Sequence, residues 1–266
     1  MDKHIFPYIG DMPLSLCETK HWLSCFDRTK KKSPVAAGYI FQMCKQALKY
    51  CRVRRYAFSN ALDDLAIPDV GQKQAKRDRV HSEAELADIC NAITSEPLFL
   101  PYYNALLKTL LVFGARTNEV RLSETKEWDV KTWIWTVPKE HAKGGEKIVR
   151  PVPESIRPFI LDLIEQHKDT GLLLGELKNP EAVSQWGRSI YKRLGHSEPW
   201  TLHDLRRTFS TTLNDMGVAP HIVEGLLGHA LGGVMAIYNR SQYLPEKLDA
   251  LNKWVDKLSD LQKITN

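Results

Sequence analysis

Residues 201–238 read TLHDLRRTFSTTLNDMGVAPHIVEGLLGHALGGVMAIY, and they hold four side chains able to act on one phosphate. His203 and Arg206 are three apart, so on a helix they share a face. His229 follows a glycine and precedes Tyr238 by nine residues. A guanidinium can fork onto phosphate oxygens, an imidazole can move a proton near neutral pH, and a phenol can act as a nucleophile. Taken singly, each histidine reads as a satisfied structural residue and the tyrosine as a packing residue. Their joint occurrence in a chain of uneven charge favours chemistry.

The elements that must position these groups can be read from turn and cap residues. Thr201 caps a helix over 202–216, which Gly217 stops; Leu202, Leu205, Phe209, Leu213 and Met216 make its core stripe. Pro220 opens a short helix ending at Gly228, which leaves His229 just past it. Upstream, a helix over 102–113 ends at Gly114; Arg116 follows, with Glu119 three residues on. The runs WIWTV (133–137) and KIVRPV (147–152) predict two antiparallel strands. Lys143-Gly144-Gly145 lies in their connecting loop, flanked by Lys139 and Lys147, and a lysine beside Gly-Gly can swing toward a ligand or simply face solvent. Ser82 and Glu85 form a capping-box pattern ahead of Leu86, Ile89, Cys90 and Ile93. A helix is expected from Asn179-Pro180 to Leu194, carrying Arg188, Lys192 and Arg193, and a last amphipathic helix over 244–263.

The chain has 266 residues, 43% hydrophobic and 26% charged, enough for one large domain or two modest ones. Its net charge of +5 is unevenly placed: residues 1–80 hold 15 Lys/Arg against 8 Asp/Glu, and the remainder is slightly acidic. A basic N-terminal third suggests a polyanion partner. There a helix of residues 14–26, a basic loop of residues 28–32 and a helix opening at Ser33-Pro34 are expected. In that last helix Ile40, Met43, Cys44, Ala47, Leu48 and Cys51 form an apolar stripe, while Lys45, Lys49 and Arg52 line another face. Residues 71–79 (GQKQAKRDR) hold Lys73, Lys76, Arg77 and Arg79 and no large apolar side chain. They mark a boundary, giving a helical unit of residues 1–72, a basic linker of 73–80 and a second domain of 81–266. The five cysteines are odd in number and lack C-x-x-C spacing, so they read as reduced core residues and not as a disulfide frame or metal site. No apolar run is long enough for a membrane span and no signal-peptide pattern opens the chain, which predicts a cytoplasmic protein. There is no P-loop and no carboxylate cluster suited to two-metal chemistry.

Together Arg116, Lys143, His203 and Arg206 (LHDLRRT), His229 (LLGH) and Tyr238 (AIYNR) resemble the tyrosine recombinases, the phage-integrase family, most closely integrases of satellite phages and genomic islands. The resemblance covers about 79–254, and 10–75 more loosely. It implies a mainly α fold with a small antiparallel hairpin or sheet: a helical core-binding domain joined to a mixed α+β catalytic domain. It implies a site-specific recombinase that cleaves and rejoins DNA through a 3′-phosphotyrosyl intermediate without metal, ATP or other cofactor. Tyr238 is then the nucleophile, His203 assists its proton transfer, Arg116, Arg206 and His229 bind the phosphate, and Lys143 is the acid. Glu119 and Asp204 support these groups, and Lys45, Lys49, Arg52, Lys73, Lys76, Arg77 and Arg79 contact DNA. Expected partners are double-stranded attachment sites, a homotetramer on DNA from a protein that can be monomeric without it, and DNA-bending or directionality factors, in the nucleoid. The last helix packs on its own domain or docks onto a neighbouring protomer, and the tetramer favours the second. Relatives of this subgroup usually carry a further N-terminal arm-binding domain, for which there is no room ahead of the helical unit. A type IB topoisomerase-like enzyme and a non-catalytic DNA-binding protein are the alternatives.

Overall fold

The computed structural model describes residues 1–75, 77–94, 98–229 and 241–264. The chain divides into two units, Met1–Arg77 and Asp78–Asn266.

The first unit is helical. Helices α1 (Phe6–Ile9), α2 (Thr19–Lys30), α3 (Pro34–Val53) and α4 (Ile67–Val70) enclose a core that includes Trp22, Cys25, Phe26, Phe41, Cys44 and Leu62. The expected helix over 14–26 is instead a 3-10 turn, Leu14–Leu16, followed by α2, because Cys17 is extended between them. Nor is 28–32 a loop: Trp22, Cys25, Phe26 and Thr29 continue one buried stripe, which carries α2 through Lys30. Ser33 caps α3, its hydroxyl accepting from the Ala36 amide at 3.3 Å. The buried face of α3 is Ala37, Gly38, Ile40, Phe41 and Cys44, whereas Met43 and Ala47 of the expected stripe are exposed.

The second unit orders α5 (Glu83–Thr94), α6 (Pro101–Phe113) and α7 (Thr117–Arg121), then strands β1 (Trp128–Asp129), β2 (Ile134–Val137) and β3 (Ile148–Pro151). Helices α8 (Arg157–Gln166), α9 (Pro180–Gly187), α10 (Ile190–Arg193), α11 (Leu202–Asp215), α12 (Pro220–Leu227) and α13 (Leu244–Ile264) follow. The strands form one antiparallel sheet in the order β1-β2-β3, with Trp135 opposite both Trp128 and Arg150. Trp128 and Trp135 stack at 4.6 Å, and Phe113 meets both edge-on, which ties the sheet to α6. The expected helix over 179–194 is two helices. The Ser189 amide and hydroxyl both donate to Trp186 O, at 2.8 and 2.7 Å, and this local bonding ends the helical ladder. The fold is therefore mainly α with a small antiparallel sheet.

Helix α13 packs on its own unit, against the expectation of docking onto a neighbouring protomer. Ala250, Leu251 and Trp254 are fully buried, and Trp254 donates to Leu111 O of α6 at 2.8 Å while its ring meets Phe209 of α11 edge-on. A helix with this much aromatic and aliphatic surface is stabilised by covering the core of its own chain. Four of the five free cysteines are buried and Cys51 is half-buried. Among the described residues, no helix is long and apolar enough to cross a membrane.

Candidate active site

Two left-handed glycines set the geometry. Gly114 ends α6 at φ +56°, and a β-carbon there would fall 2.4 Å from the Phe209 ring. Gly228 ends α12 at φ +65°, and its β-carbon would fall 2.2 Å from Ile148. Only glycine combines that conformation with so close an approach. The chain reversals deliver Arg116 to the start of α7 and His229 to the end of α12.

Arg206, on the inner side of α11, is 3% exposed. Its Nη1 donates to Gly114 O at 2.9 Å, and its Nη2 donates to Leu227 O and, at 3.0 Å, to His229 Nε2. Arg116 Nη1 also donates to Leu227 O, at 3.3 Å. One carbonyl thus gathers both guanidiniums. Burial, with the Arg116 charge beside it, pushes the Arg206 pKa down to about 9, which still leaves it charged at neutral pH. His229 Nδ1 is held by the Glu224 carboxylate, which leaves Nε2 to face Arg206.

Glu119 anchors the arginines. It is fully buried and accepts from the Arg116 amide at 3.2 Å, from Arg116 Nη1 at 2.9 Å and from Arg150 Nη2 at 2.7 Å. Burial pushes its carboxyl up, but the Arg150 charge and the bonds from Arg116 and Arg150 outweigh that and hold it below the ordinary value. Asp204, also fully buried, caps α11 by accepting from the Thr201 amide and hydroxyl at 2.8 and 2.9 Å, and it pairs with Arg207. It fixes the first turn, which carries His203.

Arg116, Lys143 and His203 line one cleft of about 640 Å³, together with His141, Ser184 and Arg188. Lys139 and Lys147 are absent from its lining. His203 is open to the cleft, yet the surrounding protein desolvates it, and Arg207 and Arg206 add positive charge, so its pKa is lowered and the neutral ring is favoured. Tyr238 and Lys76 lie outside the described residues. Of the expected DNA contacts, Lys49, Lys73 and Arg77 are exposed. Lys45 donates to Asp63 O and Leu65 O, Arg52 pairs with Asp63, and Arg79 pairs with Glu85 and Glu198.

Sequence reasoning passed over three supporting groups: Arg150, Glu224 and the pair Glu127–His141. Arg150 is fully buried, and its guanidinium sits 4.8 Å from the Trp135 ring centre. Its signal was an arginine on the inward register of a strand, alternating with Ile148. Glu127 is buried with its carboxyl pushed up by that burial, and it holds His141 Nδ1 at 2.7 Å.

The phage integrase family model matches residues 79–244. The chain is 24% identical to the integrase of Shigella phage Sf6, over 97% of this chain and 68% of that protein. It is 27% identical to the tyrosine recombinase XerA of Pyrococcus furiosus, over 55% of this chain and 54% of that one. Among solved structures, a lambda integrase dimer bound to a COC′ core site superposes with a TM-score of 0.66 at 17% identity, covering 86% of this chain and 85% of that one. That last likeness speaks to the fold, and the family match spans the stretch in which the cleft, the two arginines and His229 are assembled. The chain belongs to the phage integrase family.

Proposed function

We propose that this chain is a site-specific recombinase that cuts and rejoins DNA through Tyr238, within the cleft lined by Arg116, Lys143 and His203. The supporting observation is the single Leu227 carbonyl that draws Arg116 and Arg206 together beside His229. Five side chains on α7, the β2–β3 loop, α11 and the end of α12 would face one phosphate.

Tyr238 Oη attacks the scissile phosphorus, and its proton passes to the neutral His203 ring. The P–O5′ bond breaks, and the 5′-oxygen leaves with a proton from the Lys143 ammonium. Arg116 and Arg206 take up the charge that develops on the non-bridging oxygens, and His229, accepting from Arg206 on Nε2, holds that guanidinium in place. The phosphotyrosyl bond keeps the phosphodiester energy, so attack by a 5′-hydroxyl reverses the step without ATP. Glu119 holds Arg116 in register and Asp204 holds the first turn of α11. The partners are duplex attachment sites, with several protomers on paired duplexes and accessory bending factors. The first unit acts as the core-binding domain, Lys49, Lys73, Lys76 and Arg77 supply backbone contacts, and the protein works in the cytoplasm at the nucleoid.

Nicked duplexes randomised through the core, incubated with the full chain and run on a denaturing gel, test the reading. Covalent adducts should form and yield a preferred core on sequencing. Tyr238→Phe should form none while shifting the same duplex in a native gel. Adducts from that variant, or none from the wild type, would refute it.

A further inference from the structure

His141 shares the cleft with Arg116, Lys143 and His203 and stands two residues before Lys143. It is not a loose hairpin side chain. Its ring is only 16% exposed, and its Nδ1 is bound to Glu127 Oε1 at 2.7 Å. Glu127 is itself 4% exposed. Its second oxygen accepts from Trp135 Nε1 at 3.1 Å and from Ser123 Oγ at 3.2 Å, and Ser123 Oγ accepts from Trp128 Nε1 at 2.9 Å. The His141 amide donates to Pro138 O at 3.0 Å, which fixes the backbone as well.

With one proton held between Glu127 Oε1 and Nδ1, a proton on Nε2 would point into the cleft as a donor. Nε2 has no protein partner among the described residues, while the ring lines the cleft. A buried carboxylate, two indoles and a hydroxyl therefore fix one imidazole whose remaining nitrogen is left for a ligand. Arg116, Arg188 and Lys143 line the same cleft against one carboxylate, Glu140, so the ligand its charge favours is an anion.

We propose that His141 is a further phosphate-contacting residue, donating from Nε2 to a non-bridging oxygen of the scissile phosphate, with Glu127 as its positioning residue. The proposal rests on reading this cleft as the DNA-cleaving site. It adds one donor to the phosphate and forms or breaks no covalent bond.

Two substitutions separate the two ring nitrogens. His141→Asn places an amide nitrogen where Nδ1 stood, keeps the Glu127 bond and removes the outward donor. His141→Gln places its nitrogen where Nε2 stood. On the nicked duplex carrying the selected core, His141→Asn should form adduct about 100-fold more slowly than the wild type, as when one preorganised donor is lost. His141→Gln should recover part of that rate, and His141→Asn, which keeps the Glu127 bond, should melt near the wild-type temperature. Methylphosphonate at the scissile position removes one non-bridging oxygen. With one diastereomer, the wild type and His141→Asn should become equal. Adduct formation by His141→Asn within twofold of the wild type on the native phosphate would overturn the proposal and leave the proposed reaction standing. So would a penalty that is the same on both diastereomers. Absence of adduct from the wild type would instead remove the reaction and this proposal with it.

Discussion

Arg150 shows how much of this site is maintained by groups that do not line the cleft. It is fully buried, its Nε donates to Leu226 O at 2.7 Å, its Nη2 is bound to Glu119, and its Nη1 has no hydrogen-bond partner among the described residues. Removing Arg150 leaves the buried Glu119 carboxylate with Arg116 as its one remaining charged partner. Arg150→Met should therefore lower stability by about 3–5 kcal/mol in urea denaturation. Adding Glu119→Gln to it should recover part of the loss, because the under-compensated buried carboxylate is gone. Full additivity of the two substitutions would show that the pair is not coupled. His81 offers a pH test. It is buried against Trp200, its amide donates to Thr208 Oγ1 at 2.9 Å, and the Thr208 hydroxyl in turn donates to Asp204 O. Burial, followed by the Arg79 charge, pushes its pKa from 6.5 down to about 4. Above pH 6.5 both folded and unfolded states are neutral there, and His81 contributes nothing to pH dependence. Between 6.5 and 4 the unfolded chain takes up a proton that the native state does not, so stability falls by about 1.4 kcal/mol per pH unit. Below 4 the loss levels off. His81→Asn, which can keep the Thr208 bond, should flatten that slope in denaturation series from pH 7 to 4.5, and an unchanged slope would contradict it.

At the level of elements, the site depends on joints. Gly114 serves α6, receives Arg206 on its carbonyl and lies against Phe209. Gly114→Ala adds left-handed strain and a clash together, and should lower stability by about 1–3 kcal/mol while displacing Arg206. Slower adduct formation and a lower melting temperature should appear together in that variant. Helix α13 secures the same region from behind through Trp254 and Lys247, whose Nζ donates to Val149 O of β3 at 3.0 Å. Trp254→Ala should lower stability by about 3–5 kcal/mol. Deleting 244–266 should unfold the catalytic unit, so DNA binding would be lost with strand exchange. The helix ends that carry Arg116, His203 and His229 were legible in the sequence because glycine, proline and a capping threonine mark them. What α13 covers was not legible, since an amphipathic stripe says that a face is buried and not against which chain. Arg150 and Glu127 were missed for a related reason: their partners lie 31 and 14 residues away in sequence, and a charged residue reads as exposed until its partner is known. The break at Ser189 was hidden because a side-chain bond to the backbone leaves no mark on apolar periodicity.

Across the whole molecule, charge separates the two units more sharply than hydrophobicity does. Met1–Arg77 carries 14 Lys/Arg against 7 Asp/Glu, and the rest of the chain carries 23 against 25. Sequence position alone makes the stripe Lys45, Lys49 and Arg52 look uniform, but the structure divides it. Lys45 closes the carbonyls of Asp63 and Leu65 at 2.9 and 2.8 Å, and Arg52 holds the Asp63 carboxylate at 2.6 Å. Lys49 is exposed, as is Lys73 in the segment beyond α4. A cation already bound to protein gains little by meeting a phosphate, because it must first give up those bonds. An exposed one releases a counterion from DNA for each phosphate it neutralises. Lys49→Ala and Lys73→Ala should each reduce the slope of log K against log salt by about 0.9 on the selected core duplex, with melting temperature unchanged. Lys45→Ala should leave the slope within error and lower stability by about 1–2 kcal/mol, since two carbonyls lose a charged donor. A reduced slope for Lys45→Ala at unchanged stability would place Lys45 on the DNA and reverse this division of the basic stripe.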